Sequence, residues 1–321
     1  MKNRGKFIAL EGIDGSGKTT QVAKLVENLK SLNVRVEATN GLQISTNAND
    51  WKSVITNADI TTGYTNAEIT SANQLPATVT NVSTDGTVDT TTGRLNLYYG
   101  IIGNHATSGA YTIYTTKETD AAGTTGRYVA FDVFLRVDQN QTIYLTTDSN
   151  VVANGEDKGL KNAARVGFVT LGHGSSTDTV VNLTKLSNTI ATNAIIWEPN
   201  IDTHSTMVTD TVAPEYGVTI PATGSVPYRG INKAIAAAAA ADLKNTINGT
   251  DTSNTTAVTP DIKTTYGFAT YQQAFQLTTG VTKMRIYMWI EGQDIDCENG
   301  ATGSNITFNL QLSTQSSASG S

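Results

Sequence analysis

The chain has 321 residues and a net charge of −6, and charged residues make up only 16% of it, against about a quarter in an ordinary soluble domain. The acidic balance argues against a nucleic-acid-binding surface, and no run reaches the ~18 apolar residues that a membrane span needs. Threonine supplies about one residue in six, a β-branched polar side chain suited to hydrated strand faces and loops.

The first predicted elements are a strand, a loop and a helix. Residues 7–10 (Phe-Ile-Ala-Leu) are apolar, and Gly12, Asp14, Gly15, Ser16, Gly17, Lys18, Thr19 and Thr20 follow in the spacing of a P-loop. Glycines there let backbone N–H groups close around phosphate oxygens, and the next helix points its positive end at them. Lys18 would reach the β- and γ-phosphates of ATP and Thr19 would hold Mg²⁺. Val22, Leu25, Val26, Leu29 and Leu32 recur at helical spacing, and Val34-Arg-Val36 begins a second short strand. The wording from Leu10 to Gln21 resembles the opening of bacterial thymidylate kinases. That resemblance implies a cytoplasmic, ATP- and Mg²⁺-dependent nucleoside monophosphate kinase. It covers about a ninth of the chain. The family's Arg-Glu-Pro-Gly turn is replaced by Ala38-Thr-Asn-Gly41, and neither an Arg-rich lid nor later helix–strand alternation follows. A segment this short buries neither face of a parallel sheet, so residues 1–37 read as a truncated unit and residues 38–321 as a separate domain.

From Gly41 the pattern is β. Residues 41–45 form a short alternating strand, 61–93 read as loops or weak edge strands, 95–102 as a strand and 112–126 as a long loop. Val129, Phe131, Val133, Leu135 and Val137 alternate with other residues, which predicts a strand with one fully buried face. Asp138-Gln-Asn140 reads as a hairpin turn into 141–147. Strands are expected at 164–171, with Val166, Phe168 and Thr170 on one face, and at 193–197. The Ala-rich run 234–241 predicts a helix within 230–247. Met284, Ile286, Met288 and Ile290 form one face of a strand, and Arg285, Tyr287, Trp289 and Glu291 the other. Ile306, Phe308, Leu310 and Leu312 face inward on the last strand, and a polar loop joins the two as a closing hairpin. The expected fold is mainly β, a jelly-roll-like β-sandwich with a short N-terminal strand–P-loop–helix segment.

Residues 40–45, 195–200 and 285–299 resemble exported proteins related to camelysin and biofilm matrix fibre subunits. The resemblance implies a non-enzymatic extracellular or cell-surface structural protein whose partner is a second copy of itself, joined through strand edges. Residues 7–10 are too short for the apolar core of a signal peptide, which counts against export of the chain as it stands. Other chemistry is sparse. Asp294, Asp296 and Glu298 alternate in a turn and offer oxygens to Ca²⁺, against the simpler reading of a solvated acidic turn. The ring faces of Tyr287 and Trp289 suit sugars, against a core role. Cys297 reads as a small, partly buried apolar residue, and His105, His173 and His204 lack metal-ligand spacing.

Overall fold

The computed structural model describes residues 33–39, 41–62, 73–76, 78–104, 111–118, 126–157, 159–199, 246–247, 250–251, 261–263, 265, 268–292, 294, 297 and 305–317. It is mainly β with mixed sheets and, among the described residues, two short α-helices. In chain order the first elements are β1 (Asn33–Thr39), β2 (Gln43–Ser45), β3 (Val54–Thr56) and helix α1 (Asn57–Thr62). A meander follows in β4 (Asn81–Asp89), β5 (Arg94–Asn104) and β6 (Tyr111–Lys117). Then come β7 (Val129–Val137), β8 (Gln141–Leu145), β9 (Asn150–Ala153), β10 (Ala164–Gly174), α2 (Val180–Thr184) and β11 (Ile195–Trp197). The last are β12 (Thr246–Ile247), β13 (Thr250–Asp251), β14 (Asp261–Lys263), β15 (Gln272–Leu277), β16 (Gly280–Glu291) and β17 (Ile306–Ser313).

Among the described residues, one sheet of six strands has the order β15-β8-β17-β1-β3, with β9 also on β17. The other has eleven strands among the described residues, and β16 is its organiser. Along its length β16 pairs antiparallel with β7 on one side and β10 on the other. Both of its faces are buried. Met284, Ile286, Met288 and Ile290 enter the main hydrophobic cluster, while Tyr287 and Trp289 enter a second one with Leu95, Leu97 and Val169. The main cluster draws on both sheets: Val36, Ile143, Leu145, Phe308 and Leu310 of the smaller meet Phe131, Val133 and Leu135 of the larger. On β7 the expected buried face is present, and its other face is buried too, at Ala130, Asp132 and Phe134.

Both expected hairpins are absent. β7 lies in the larger sheet and β8 in the smaller, and the same separation holds for β16 and β17. Each connection crosses from one sheet to the other, so the apolar faces of consecutive strands meet across the core instead of lying side by side. Period-2 alternation specifies which face is buried but not which strand is the neighbour. The stretch 61–93, expected as loops or weak edge strands, contains the interior strand β4, and the expected long loop 112–126 contains most of β6; the two flank β5. The turn between β4 and β5 closes on Asp89, whose carboxylate accepts from Thr91 N at 2.9 Å, with Gly93 at a φ of 69°. Residues 234–241 lie outside the described residues, and Thr246–Ile247 at the end of the expected helix is the strand β12.

β1 runs across position 37/38. It pairs parallel with β17 from Asn33↔Thr307 to Thr39↔Ser313 and antiparallel with β3. The strand expected in the N-terminal segment therefore supplies Val34 and Val36 to the main cluster.

Behind β3, Asp59 accepts from Thr56 N at 2.9 Å and is paired with Lys52. The hydrogen bond from Lys52 holds its carboxyl below the usual range, against the opposing pull of burial, with help from Thr56. A depressed carboxylate stabilises the fold above its ordinary pKa, and that contribution is lost as pH falls through the lowered value. Asp59→Asn is expected to cost less than about 1 kcal/mol at neutral pH, with variant and wild type converging in acid when urea midpoints are compared.

Candidate functional site

β2 is a short, largely buried strand at the start of the β-rich region. Gly41, at a φ of 87°, turns the chain out of β1, and Leu42 N donates to Thr39 O at 3.3 Å. Gln43, Ile44 and Ser45 then pair antiparallel with Arg136, Leu135 and Phe134 of β7. On its other side Ile44 exchanges two backbone hydrogen bonds with Lys52, at 2.9 and 2.8 Å. Leu42 and Ile44 are buried in the main cluster. Gln43 Oε1 accepts from Arg136 Nε at 2.8 Å, and the Arg136 guanidinium lies 4.2 Å over the Trp51 ring. The loop after β2 folds around Asn47, whose Oδ1 accepts from Ser45 Oγ, Asn49 N and Asp50 N. Ala48 takes the left-handed φ of 58° to close that loop. β2 thus has apolar anchors and backbone pairing, but only three residues of ladder.

Among the described residues, two buried ion clusters lie behind these strands. In the first, Arg165 of β10 is 3% exposed and donates through Nη2 to Glu198 and to Asp294, each at 2.5 Å. Its Nη1 donates to the carbonyls of Asn162 and Ala164 at 2.7 and 3.0 Å. Glu291 lies close by, accepting from Ser83 Oγ and, at 3.2 Å, from Trp289 Nε1. Burial alone would lower the Arg165 pKa. The attraction of Glu198, Asp294 and Glu291 outweighs it and raises the value above the ordinary one. In the second cluster, Asp132 of β7 is fully buried and accepts from Arg285 Nε at 2.7 Å and Nη2 at 3.3 Å. Lys283 Nζ stands 3.3 Å from the same carboxylate and donates to Thr184 O at 2.6 Å. These contacts tie β10, β16, β7 and the segments after β11 and β16 to one another. The opposite charge beside each group holds it in place, as a structural role requires.

Asp294, read as a Ca²⁺ ligand or a solvated acid, is instead 1% exposed and bound to Arg165. Asp296 and Glu298 lie outside the described residues, and so do Gly12, Asp14, Gly15, Ser16, Gly17, Lys18, Thr19 and Thr20. Among the described residues no group of three His, Cys, Asp or Glu side chains is placed to hold a metal ion. Tyr287 and Trp289 are buried, so their ring faces do not meet solvent. Tyr287 Oη accepts from Leu95 N at 3.1 Å and its ring packs 5.7 Å from that of Tyr128. Cys297 is buried in the main cluster. His173 Nδ1 lies 3.4 Å from Thr282 Oγ1, while His105 and His204 are outside the described residues. Of the charged residues in the two clusters, the sequence singled out Asp294 for a different role and read Arg285 and Glu291 only as one strand face; the pairing itself was missed. The signal was a charge inside an apolar alternation: Asp132 within β7, Lys283 and Arg285 within β16, Arg165 within β10.

The comparisons with known proteins add no relative: no family model, no curated protein and no solved structure matches this chain. Among the described residues, no helix is long and apolar enough to cross a membrane.

Proposed function

We propose that this chain is a non-enzymatic structural protein, extracellular or at the cell surface, with a jelly-roll-like β-sandwich that assembles with copies of itself into a fibre or matrix. The observation that carries this reading is β2, a three-residue strand held to β7 by a short ladder, to Lys52 by two backbone hydrogen bonds and to the core by Leu42 and Ile44. Exchange of such a strand between neighbours replaces each contact by an identical one, so its cost is set by the linker and by association entropy. A head-to-tail exchange does not close on itself and propagates as a filament. The resemblance of residues 40–45, 195–200 and 285–299 to exported matrix subunits supports the same class. Gln43 and Arg136 face each other across β2 and β7, at the spacing of directly opposed residues that a disulfide spans. Oxidised Gln43→Cys/Arg136→Cys protein is expected to stay monomeric by electron microscopy and sedimentation at concentrations where the wild type forms filaments, and reduction should restore assembly. A locked variant that polymerises like the wild type removes the proposal.

The P-loop wording of residues 12–20 supports a second reading, a thymidylate kinase-like phosphotransferase using ATP and Mg²⁺ with a β-rich appendage. The chain carries no Arg-rich lid in its sequence, and phosphoryl transfer depends on positioning and charge neutralisation. A coupled ADP-release assay with thymidine monophosphate is therefore expected to show no turnover. A rate of about 1 s⁻¹ or more, within the usual enzyme range, would favour the kinase instead.

A further inference from the structure

We propose that the trough beside β8 and the end of β17 is a binding site for neutral oligosaccharide. A cleft of about 560 Å³ opens there, lined by Asn140, Gln141, Thr142, Tyr144, Gln315 and their neighbours up to Ser317. It is open and polar, so a ligand there would lie along the surface rather than be enclosed. A second hollow of about 230 Å³ adjoins it, sharing Gln141 and Thr314, and carries the carboxylate of Asp138 in its lining, which would repel an anionic ligand.

The chemistry of the main cleft selects the ligand class. Its lining carries amides, hydroxyls and one phenol ring, and no charged side chain. A phosphate or carboxylate finds no cation there, and a lipid finds no apolar wall. A sugar ring presents hydroxyls to amide donors and acceptors, and an apolar C–H face to an aromatic ring. Parts of the lining are fixed in advance. Asn140 Oδ1 accepts from Thr279 N at 2.9 Å and from Thr279 Oγ1 at 3.3 Å, which orients the amide and leaves its N–H groups as donors. Thr142 Oγ1 accepts from Gln276 Nε2 at 2.9 Å. Gln315 N donates to Ser313 Oγ at 3.0 Å and shapes the turn that follows β17. The floor is rigid because β8 is paired with β15 on one side and β17 on the other. A site whose donors are held before binding loses less conformational freedom when it is filled.

Affinity electrophoresis in native gels tests the site, with soluble β-glucan and dextran as neutral polymers and polygalacturonate as the anionic one. The wild type should be retarded by at least one neutral polymer and not by the anionic one. Tyr144→Ala should weaken that retardation by about tenfold, the scale of one aromatic contact. Gln141→Ala should weaken it as well, and it serves as the second variant if loss of the Tyr144 ring disturbs folding. Migration of the wild type unaltered in both neutral gels overturns the proposal, as does equal retardation of both variants and the wild type. If the neutral gels leave the wild type unretarded while Tyr144→Ala abolishes concentration-dependent self-association, the trough belongs to a second copy of the chain and the proposal also fails.

Discussion

Arg165→Ala is expected to cost on the order of 3–5 kcal/mol, the scale found when one partner of a buried ion pair is removed and a large share of a domain's stability. The guanidinium is the cation that Glu198 and Asp294 both contact, and Glu291 lies within its field. Without it these carboxylates are left buried beside one another, and the carbonyls of Asn162 and Ala164 lose their donor. Urea titration by circular dichroism measures the loss. Arg165→Lys should recover only part of it, because a single ammonium group does not reproduce a planar fork contacting two carboxylates and two carbonyls. A loss below about 1 kcal/mol for Arg165→Ala would mean that water or protonation relieves the cluster and that it does not hold the strands together.

Removal of residues 1–37 is the second large effect. On the sequence alone this cut separates a truncated P-loop segment from an independent β domain, and stability should be untouched. The structure changes the expectation. Val34 and Val36 are buried in the main cluster, and residues 33–37 pair along β17. Burial of two valine side chains is worth about 3–6 kcal/mol, and the lost ladder exposes the inner edge of β17. A protein starting at residue 38 should therefore unfold at clearly lower urea or not cooperatively at all. A protein starting at residue 33 keeps β1 whole, which makes the pair of truncations a direct measure of that strand. Equal midpoints for the two would show that β1 contributes nothing.

Much of the face assignment was legible before the fold. Val129, Phe131, Val133, Leu135 and Val137 on β7, and Ile306, Phe308, Leu310 and Leu312 on β17, were read as inward-facing, and they lie in the main cluster. The partners of those strands were not legible. Alternation carries no information about neighbours, and the polar links after β7 and β16 looked like hairpin turns although each spans two sheets. β6 escaped because threonine holds three of its seven positions, and β4 because Asn, Ser, Thr, Asp and Gly surround its two valines, so neither strand marks a face by hydrophobicity. Of the candidate site, residues 41–45 were legible as a short strand from the alternation of Leu42 and Ile44. Asp294 was read as a Ca²⁺ ligand or a solvated acid because it alternates with Asp296 and Glu298 in what looked like a polar turn. Its partner, Arg165, is remote in the chain and lies on a strand whose apolar residues dominated the pattern.

The most direct measurement of the self-assembly claim uses two single variants in a Cys297→Ser background, Gln43→Cys in one chain and Arg136→Cys in the other. Each alone lacks a partner thiol within its own molecule. Mixed at assembling concentration and oxidised, they should yield a covalent product containing one copy of each chain, separable by non-reducing electrophoresis, because β2 of one chain lies on β7 of the next. If the mixture gives no such product while the double variant forms its disulfide within one chain, β2 stays at home and assembly by strand exchange is contradicted.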